Sequence, residues 1–124
     1  MQLLNVALGG SLIQHLPDVV GHDGHRPQPG VYGPVRVRLA APSRVEAIVG
    51  PGVDVHCHHH QALNRMADDL DVVGWAEDGT VEAVEMPGRG FALGVQWHPE
   101  QGHADDRLFA ALVAAASGAG RLTR

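Results

Sequence analysis

Cysteine occurs once in this 124-residue chain, at Cys57. That excludes an internal disulfide and says little about redox compartment. Aromatic residues make up only 4% of the chain, so Ala, Val, Leu and Gly must carry the core. A core of many small side chains is sensitive to the loss of any neighbouring element. Basic residues are few and scattered, and the formal net charge is −5 with histidine neutral. Both features argue against a nucleic-acid partner. No apolar run approaches membrane-spanning length. The opening MQLLNVALGG has no positive flank and no A-x-A-like cleavage site. The expectation is a cytoplasmic protein with no membrane partner and no cofactor. What is present is 44% hydrophobic content, enough for one small core, and nine histidines. Many of these cluster in GHDGHR and VHCHHHQ.

MQLLNVALGG predicts a short helix with Leu3, Leu4, Ala7 and Leu8 on one face and Gly9-Gly10 as its stop. It starts uncapped, inside an apolar pattern. Residues 17–34 hold four of the eight prolines and read as a long loop. VRVRLA, 35–40, alternates as a half-buried strand. In SRVEAIVG, Ser43 and Glu46 are spaced as a capping box for a one- or two-turn helix ended by Gly50. VDVHCHHH has the period of a strand. LDVVGWAEDGTVEAVEM predicts two strands around the turn Asp78-Gly79. GFALGVQW is nearly all apolar and predicts a strand covered on both faces. ADDRLFAALVAAA predicts an amphipathic helix with Asp105 and Asp106 in its first turn. Its buried stripe would be Leu108, Phe109, Leu112, Val113 and Ala116. The pattern divides the chain into a domain over 1–117 and a flexible tail over 118–124. Short helices at each end and about five strands make an α/β or α+β piece, with too few crossover helices for a complete parallel sheet.

The segment GVQWHPE, residues 94–100, carries the chemistry. A residue before proline is pushed to extended geometry, so His98 is held in the strand direction as the strand ends. In an extended segment Glu100 points the same way as His98. A carboxylate that fixes one imidazole nitrogen leaves the other free to act as a base. That is the base-plus-orienter half of a nucleophilic triad.

GFALGVQWHPE resembles the closing motif of class I glutamine-amidotransferase-like domains. Together with MQLLNVALGGSLIQ, VHCHHHQALNRMADDL and VVGWAEDGTVEAVE, it resembles the gamma-glutamyl-gamma-aminobutyrate hydrolase family. The resemblance implies an α/β fold: the C-terminal half of a three-layer, flavodoxin-like domain with a mostly parallel sheet, including the β-hairpin. It implies hydrolysis of a small gamma-glutamyl amide or peptide through a Cys-His-Glu triad, with His98 as base and Glu100 as its partner. His59, His60 and Gln61 match a segment that borders the substrate pocket, and the resemblance makes them substrate-binding. Gln2 matches the Gln of a G-x-C-x-G-x-Q elbow, so the nucleophilic cysteine would fall upstream of Met1. Cys57 stands at a usual serine position on a strand end, and His56 replaces the usual Asn. The reading for Cys57 is an inert thiol. A chain of this kind is expected to be inactive alone. It is expected to self-associate through uncovered apolar surface, or to pair with a separate N-terminal half.

Two other classes compete. His56, His58 and His60 alternate, so on a strand they share a face and suggest a metal-binding module or a metal-dependent hydrolase. Alternate residues on one strand stand about 6.5–7 Å apart, which strains their convergence on one ion. His22, Asp23 and His25 offer further ligands, although His15, His22, His25 and His103 are expected to face solvent. The third class is a non-catalytic fragment or pseudoenzyme subunit.

Overall fold

A computed structural model describes residues 1–101 and 105–122. Its elements in chain order are α1 (Gln2–Ala7), β1 (Leu12–Ile13), α2 (Leu16–Val20), β2 (Gly33–Leu39), α3 (Arg44–Val49) and β3 (Gly52–Cys57). After these come β4 (Ala62–Leu63), β5 (Asp71–Ala76), β6 (Val81–Glu85), β7 (Leu93–Val95), a 3₁₀ turn at Pro99–Gln101, and α4 (Arg107–Leu122). Five strands form one sheet in the order β3-β2-β5-β6-β7, and β1 pairs with β4 separately. Every pairing is antiparallel, so the parallel strands expected of the whole domain are not among the described ones.

The main sheet is covered on both faces. Adjacent residues of a strand point to opposite sides. In β6, Ala83 enters a cluster with Val37, Val45, Val49, Val55 and Trp97, while Val84 enters a second with Leu63, Ala67 and Leu70. Helix α3 supplies the first cluster, and Leu4 and Leu8 of the α1 region supply the second. The result is helix, sheet and helix in layers.

Local rules account for several elements. Ser43 Oγ accepts from Glu46 N–H at 3.0 Å and starts α3, and Gly50 ends it with φ of 87°. Glu85 of β6 accepts from Val45 N–H at 2.7 Å, which fixes the start of α3 over the sheet. The β5–β6 hairpin turns through Gly79, and Asp78 Oδ1 accepts from Thr80 N–H at 2.9 Å.

Other expectations are corrected. In α1, Leu3 is exposed and Asn5 is buried. Asn5 turns inward because it serves three backbone groups: Nδ2 donates to the carbonyls of Ser11 (3.2 Å) and Arg65 (3.0 Å), and Oδ1 accepts from Ala67 N–H (2.8 Å). The 17–34 stretch contains α2, where Pro17 suits a first helical turn. β7 is a short, half-buried edge strand rather than one covered on both faces. Asp105 and Asp106 precede α4: Asp105 accepts from Arg107 N–H at 3.2 Å, and the Asp106 carbonyl accepts from Ala110 N–H at 2.8 Å. The expected stripe on α4 is mostly uncovered, with Phe109, Leu112 and Val113 exposed by 46%, 52% and 64% and only Leu108 packed on the core. Helix α4 is described through Leu122, and residues 123–124 lie outside the described residues.

Replacing Asn5 with Ala strips partners from two carbonyls and one N–H at once. The expected cost is roughly 2 kcal/mol or more. Ser43→Ala removes one cap and should cost about 1 kcal/mol. Urea denaturation of the two variants should return that order.

Candidate active site

His98 follows the buried Trp97 at the end of the segment that continues β7. Two backbone bonds hold that segment: Gln96 N–H donates to Glu82 O at 2.8 Å, and His98 N–H donates to His56 O at 2.9 Å. Pro99 then opens the 3₁₀ turn, closed by Gln101 N–H donating to His98 O at 3.0 Å. The tight turn carries Glu100 back toward the ring. Glu100 Oε2 lies 2.9 Å from His98 Nδ1. The two residues meet as expected, but through a 3₁₀ turn and not an extended segment, because proline's fixed φ suits the first residue of a helical turn.

With Nδ1–H donated to Glu100, Nε2 carries the lone pair. No partner for Nε2 is recorded among the described residues. The side chains are 37% and 53% exposed, so the pair is open to a reactant. Glu100's own backbone N–H, and then the His98 ring, hold its carboxyl below the ordinary glutamate value. Tyr32 stands edge-on to the His98 ring at 5.2 Å, and His58 lies 6.5 Å away. His58 is itself held, its Nε2 accepting from Gly30 N–H at 3.0 Å. On another side of His98 a small cleft is lined by Val53, Val55, Trp97 and Leu108. The arrangement can accept a proton from a nucleophile and return it to a leaving group.

The other expected site residues divide. Gln61 joins an amide network, with Nε2 donating to Gln14 at 2.8 Å and its carbonyl accepting from Gln2 Nε2 at 3.4 Å. Gln2 Nε2 also donates to Gln96 Oε1 at 3.1 Å, two residues before His98, so α1 is tied to this site. His60 is half-buried beside His15, at 6.1 Å between rings, and lines a different cleft with His25 and Arg26. Burial, then the Arg26 charge, lowers its pKa. His59 is buried and turned inward.

The alternating-histidine metal site does not form as expected, whereas Cys57 is the inert thiol that was expected. β3 ends at Cys57, so the alternation of His56, His58 and His60 stops with the strand, and these three do not converge among the described residues. Cys57 is fully buried and its thiol donates to Glu82 Oε1 at 3.4 Å. Burial and then the Glu82 carboxylate push its pKa far above the usual thiol range, which removes the thiolate a nucleophile needs.

Sequence reasoning missed a polar cluster behind the site. His25 was expected to face solvent and is buried. Its Nε2 lies 2.7 Å from Asp78 Oδ2, and the exposed His22 reaches the same oxygen at 3.0 Å. Burial lowers the pKa of His25, but Glu82 and then Asp78 outweigh it, so the net shift is upward. Burial raises Asp78, and Thr80 and His25 overcome it to leave a pKa of about 2. Glu82 is fully buried in β6; His25 and His59 offset the effect of burial and hold its pKa down. The available signal was a carboxylate, Glu82, flanked by apolar Val81 and Ala83 within a strand. His103 lies outside the described residues.

Comparison with known proteins settles the family. The Peptidase C26 family model matches residues 1–100. The chain is a member of the Peptidase C26 family. "Putative glutamine amidotransferase Rv2859c" of Mycobacterium tuberculosis is 52% identical over 121 residues, covering 97% of this chain and 39% of that protein. Gamma-glutamyl-gamma-aminobutyrate hydrolase PuuD of Escherichia coli is 35% identical over 108 residues, covering 81% of this chain and 42% of PuuD. The C26 chain thus spans well under half of either relative. A glutamine amidotransferase from Thermotoga maritima superposes on 80% of it with TM-score 0.57 at 18% identity, covering 36% of that structure. One from Methylobacillus flagellatus gives 0.56, also at 18% identity, covering 34% of its chain. These structures share the fold, in accord with the class I glutamine-amidotransferase-like α/β expectation. No helix among the described residues is long and apolar enough to cross a membrane.

Two measurements test this C26 site. A donor N–H favours the ionised carboxylate, so an NMR titration of Glu100 should give a midpoint below the ordinary 4.5. His98→Ala should move it part of the way back; an unmoved midpoint would remove the ring as its partner. Iodoacetamide should leave Cys57 untouched in the folded protein and label it on denaturation. Rapid labelling of the native state would restore Cys57 as a candidate nucleophile.

Proposed function

We propose that this C26 chain carries the acid–base half of a hydrolase for small gamma-glutamyl amides, with His98 as general base and Glu100 as its orienter. The observation that supports this most is the 2.9 Å contact between His98 Nδ1 and Glu100 in a partly exposed pair, with His98 lining a small cleft. The family relationship and the name of the 35% identical PuuD support the choice of reaction and substrate class.

In this reading His98 takes the proton of a cysteine thiol, and the thiolate attacks the gamma-carbonyl carbon. The C–N bond breaks as His98 returns the proton to the leaving amine, and a thioester remains. His98 next deprotonates water, which attacks the thioester and releases the glutamate gamma-carboxylate and the thiol. Glu100 holds the ring's tautomer and stabilises the imidazolium formed in each half. Gln2 and Gln61 border the site, and His60 lies farther off on its own cleft. Cys57 does not serve as the nucleophile, because it is buried and protonated. The attacking cysteine belongs to a segment outside these 124 residues. The exposed apolar face of α4 and the edge strand β7 are surfaces such a segment can cover.

Assayed alone against a gamma-glutamyl anilide, the 124-residue chain is expected to release no amine above background. In a chain of the length of its relatives, His98→Ala should lower kcat by roughly 10³-fold or more with little change in KM. Glu100→Gln should cost less than His98→Ala. Unchanged turnover in His98→Ala would sink the proposal.

A further inference from the structure

Four side chains from separate positions in the fold meet behind the candidate active site. His25 comes from the segment between α2 and β2, Cys57 from the end of β3, His59 from just beyond it, and Glu82 from β6. All four are buried, and one ligand atom from each lies within 4.8 Å of the others. Glu82 Oε2 is 3.1 Å from His59 Nε2 and 3.3 Å from His25 Nδ1, and Oε1 is 3.4 Å from Cys57 Sγ.

The outer hydrogen bonds fix which nitrogen of each ring faces inward. His59 Nδ1 lies 2.8 Å from the Gln61 carbonyl, which only accepts, so Nδ1 carries a proton. His25 Nε2 is 2.7 Å from the Asp78 carboxylate, so there Nε2 carries the proton. Glu82 and Asp78 favour a proton on His25 when no ion is bound; with both rings neutral, the inward atoms His59 Nε2 and His25 Nδ1 are lone pairs that a cation can take in place of a proton. His25 Nδ1 is buried and has no hydrogen-bond partner. Two imidazole nitrogens, a carboxylate and a sulfur thus lie within 4.8 Å of one another, and each imidazole is braced from outside by an oxygen acceptor. Metal-bound histidines are braced in this way.

We propose that His25 Nδ1, Cys57 Sγ, His59 Nε2 and the Glu82 carboxylate form a closed tetrahedral site for a divalent transition-metal ion of the zinc class. Zinc–ligand bonds of about 2.0–2.3 Å place tetrahedral ligands about 3.3–3.8 Å apart. The contacts at Glu82, 3.1 and 3.3 Å to Oε2 and 3.4 Å to Oε1, lie close to that range, while ligand pairs at separations up to 4.8 Å must close by up to about 1 Å. Thiolate and imidazole donors select against magnesium and calcium. The charges close as well: one dication, one thiolate, one carboxylate and two neutral rings sum to zero in a buried site. On binding, the Cys57 S–H bond breaks, a sulfur–metal bond forms, and the proton leaves to solvent. Four protein ligands leave no open position, so the ion is structural. It would pin the segment carrying Gly30 and Tyr32 to β3 and β6, and so hold the wall beside His98. This site is independent of the proposed reaction.

The test uses the full chain, prepared without a polyhistidine tag, loaded with zinc chloride and passed over a chelating resin. Elemental analysis should return about one zinc per chain. Cobalt(II) loading should give a thiolate-to-cobalt charge-transfer band in the near ultraviolet. His25→Ala and Cys57→Ser should lose the zinc, while His15→Ala and His22→Ala keep it. Wild-type protein that retains no zinc, or a cobalt form without the thiolate band, overturns the proposal whether or not the variants fold. Loss of zinc in His22→Ala with retention in Cys57→Ser also overturns it, by assigning the ion to the surface pair His22 and Asp78.

Discussion

A carboxylate with no solvent contact, Glu82, sits one residue into β6, and much of the molecule is arranged around it. Isolated, a buried charge of this kind would cost several kcal/mol. It is tolerated only because His25, Cys57 and His59 are drawn in to meet it. Meeting it brings the segment before β2 against the sheet and turns the chain after β3 inward at His59. The same two movements deliver Tyr32 and His58 to the His98 ring. The Glu82 carbonyl also receives Gln96 N–H, and so steadies the segment that ends in His98. The His98–Glu100 pair is exposed, but its support is not.

What could be read from sequence follows the range of the forces involved. The Ser43–Glu46 cap, the Asp78-Gly79 turn and the pairing of His98 with Glu100 are decided within a few residues, and each forms. Where partners are far apart in the chain, local pattern misleads. His25 lies among prolines and glycines and looks like a surface residue, yet its partners are 53 and 57 positions away at Asp78 and Glu82. Asn5 looks like an interruption in an apolar helix, yet it is the buried residue there, because Arg65 and Ala67 offer it backbone partners. Periodicity on α4 identifies an apolar face but cannot say what covers it; Phe109, Leu112 and Val113 stay in solvent.

The histidines illustrate the same point for the site. Alternation in VHCHHHQ suggests that His56, His58 and His60 act together, but the strand stops at Cys57 and each goes a different way. His58 is held by the Gly30 amide, His60 joins His15, and His59, outside the alternating set, turns into the core. The C26 family model matches residues 1–100, a stretch that holds both the His98–Glu100 pair and the buried thiol of Cys57.

The 3₁₀ turn at Pro99–Gln101 has one further implication. Because His98 and Glu100 meet across a single turn of backbone, their separation owes nothing to the sheet or to either core. Tilting the segment would swing ring and carboxylate together, like two jaws on one handle. The aim of the open nitrogen is therefore adjustable by distant packing, while the ring's tautomer is not. A scaffold built this way can be retuned to a differently placed nucleophile or substrate without dismantling the pair.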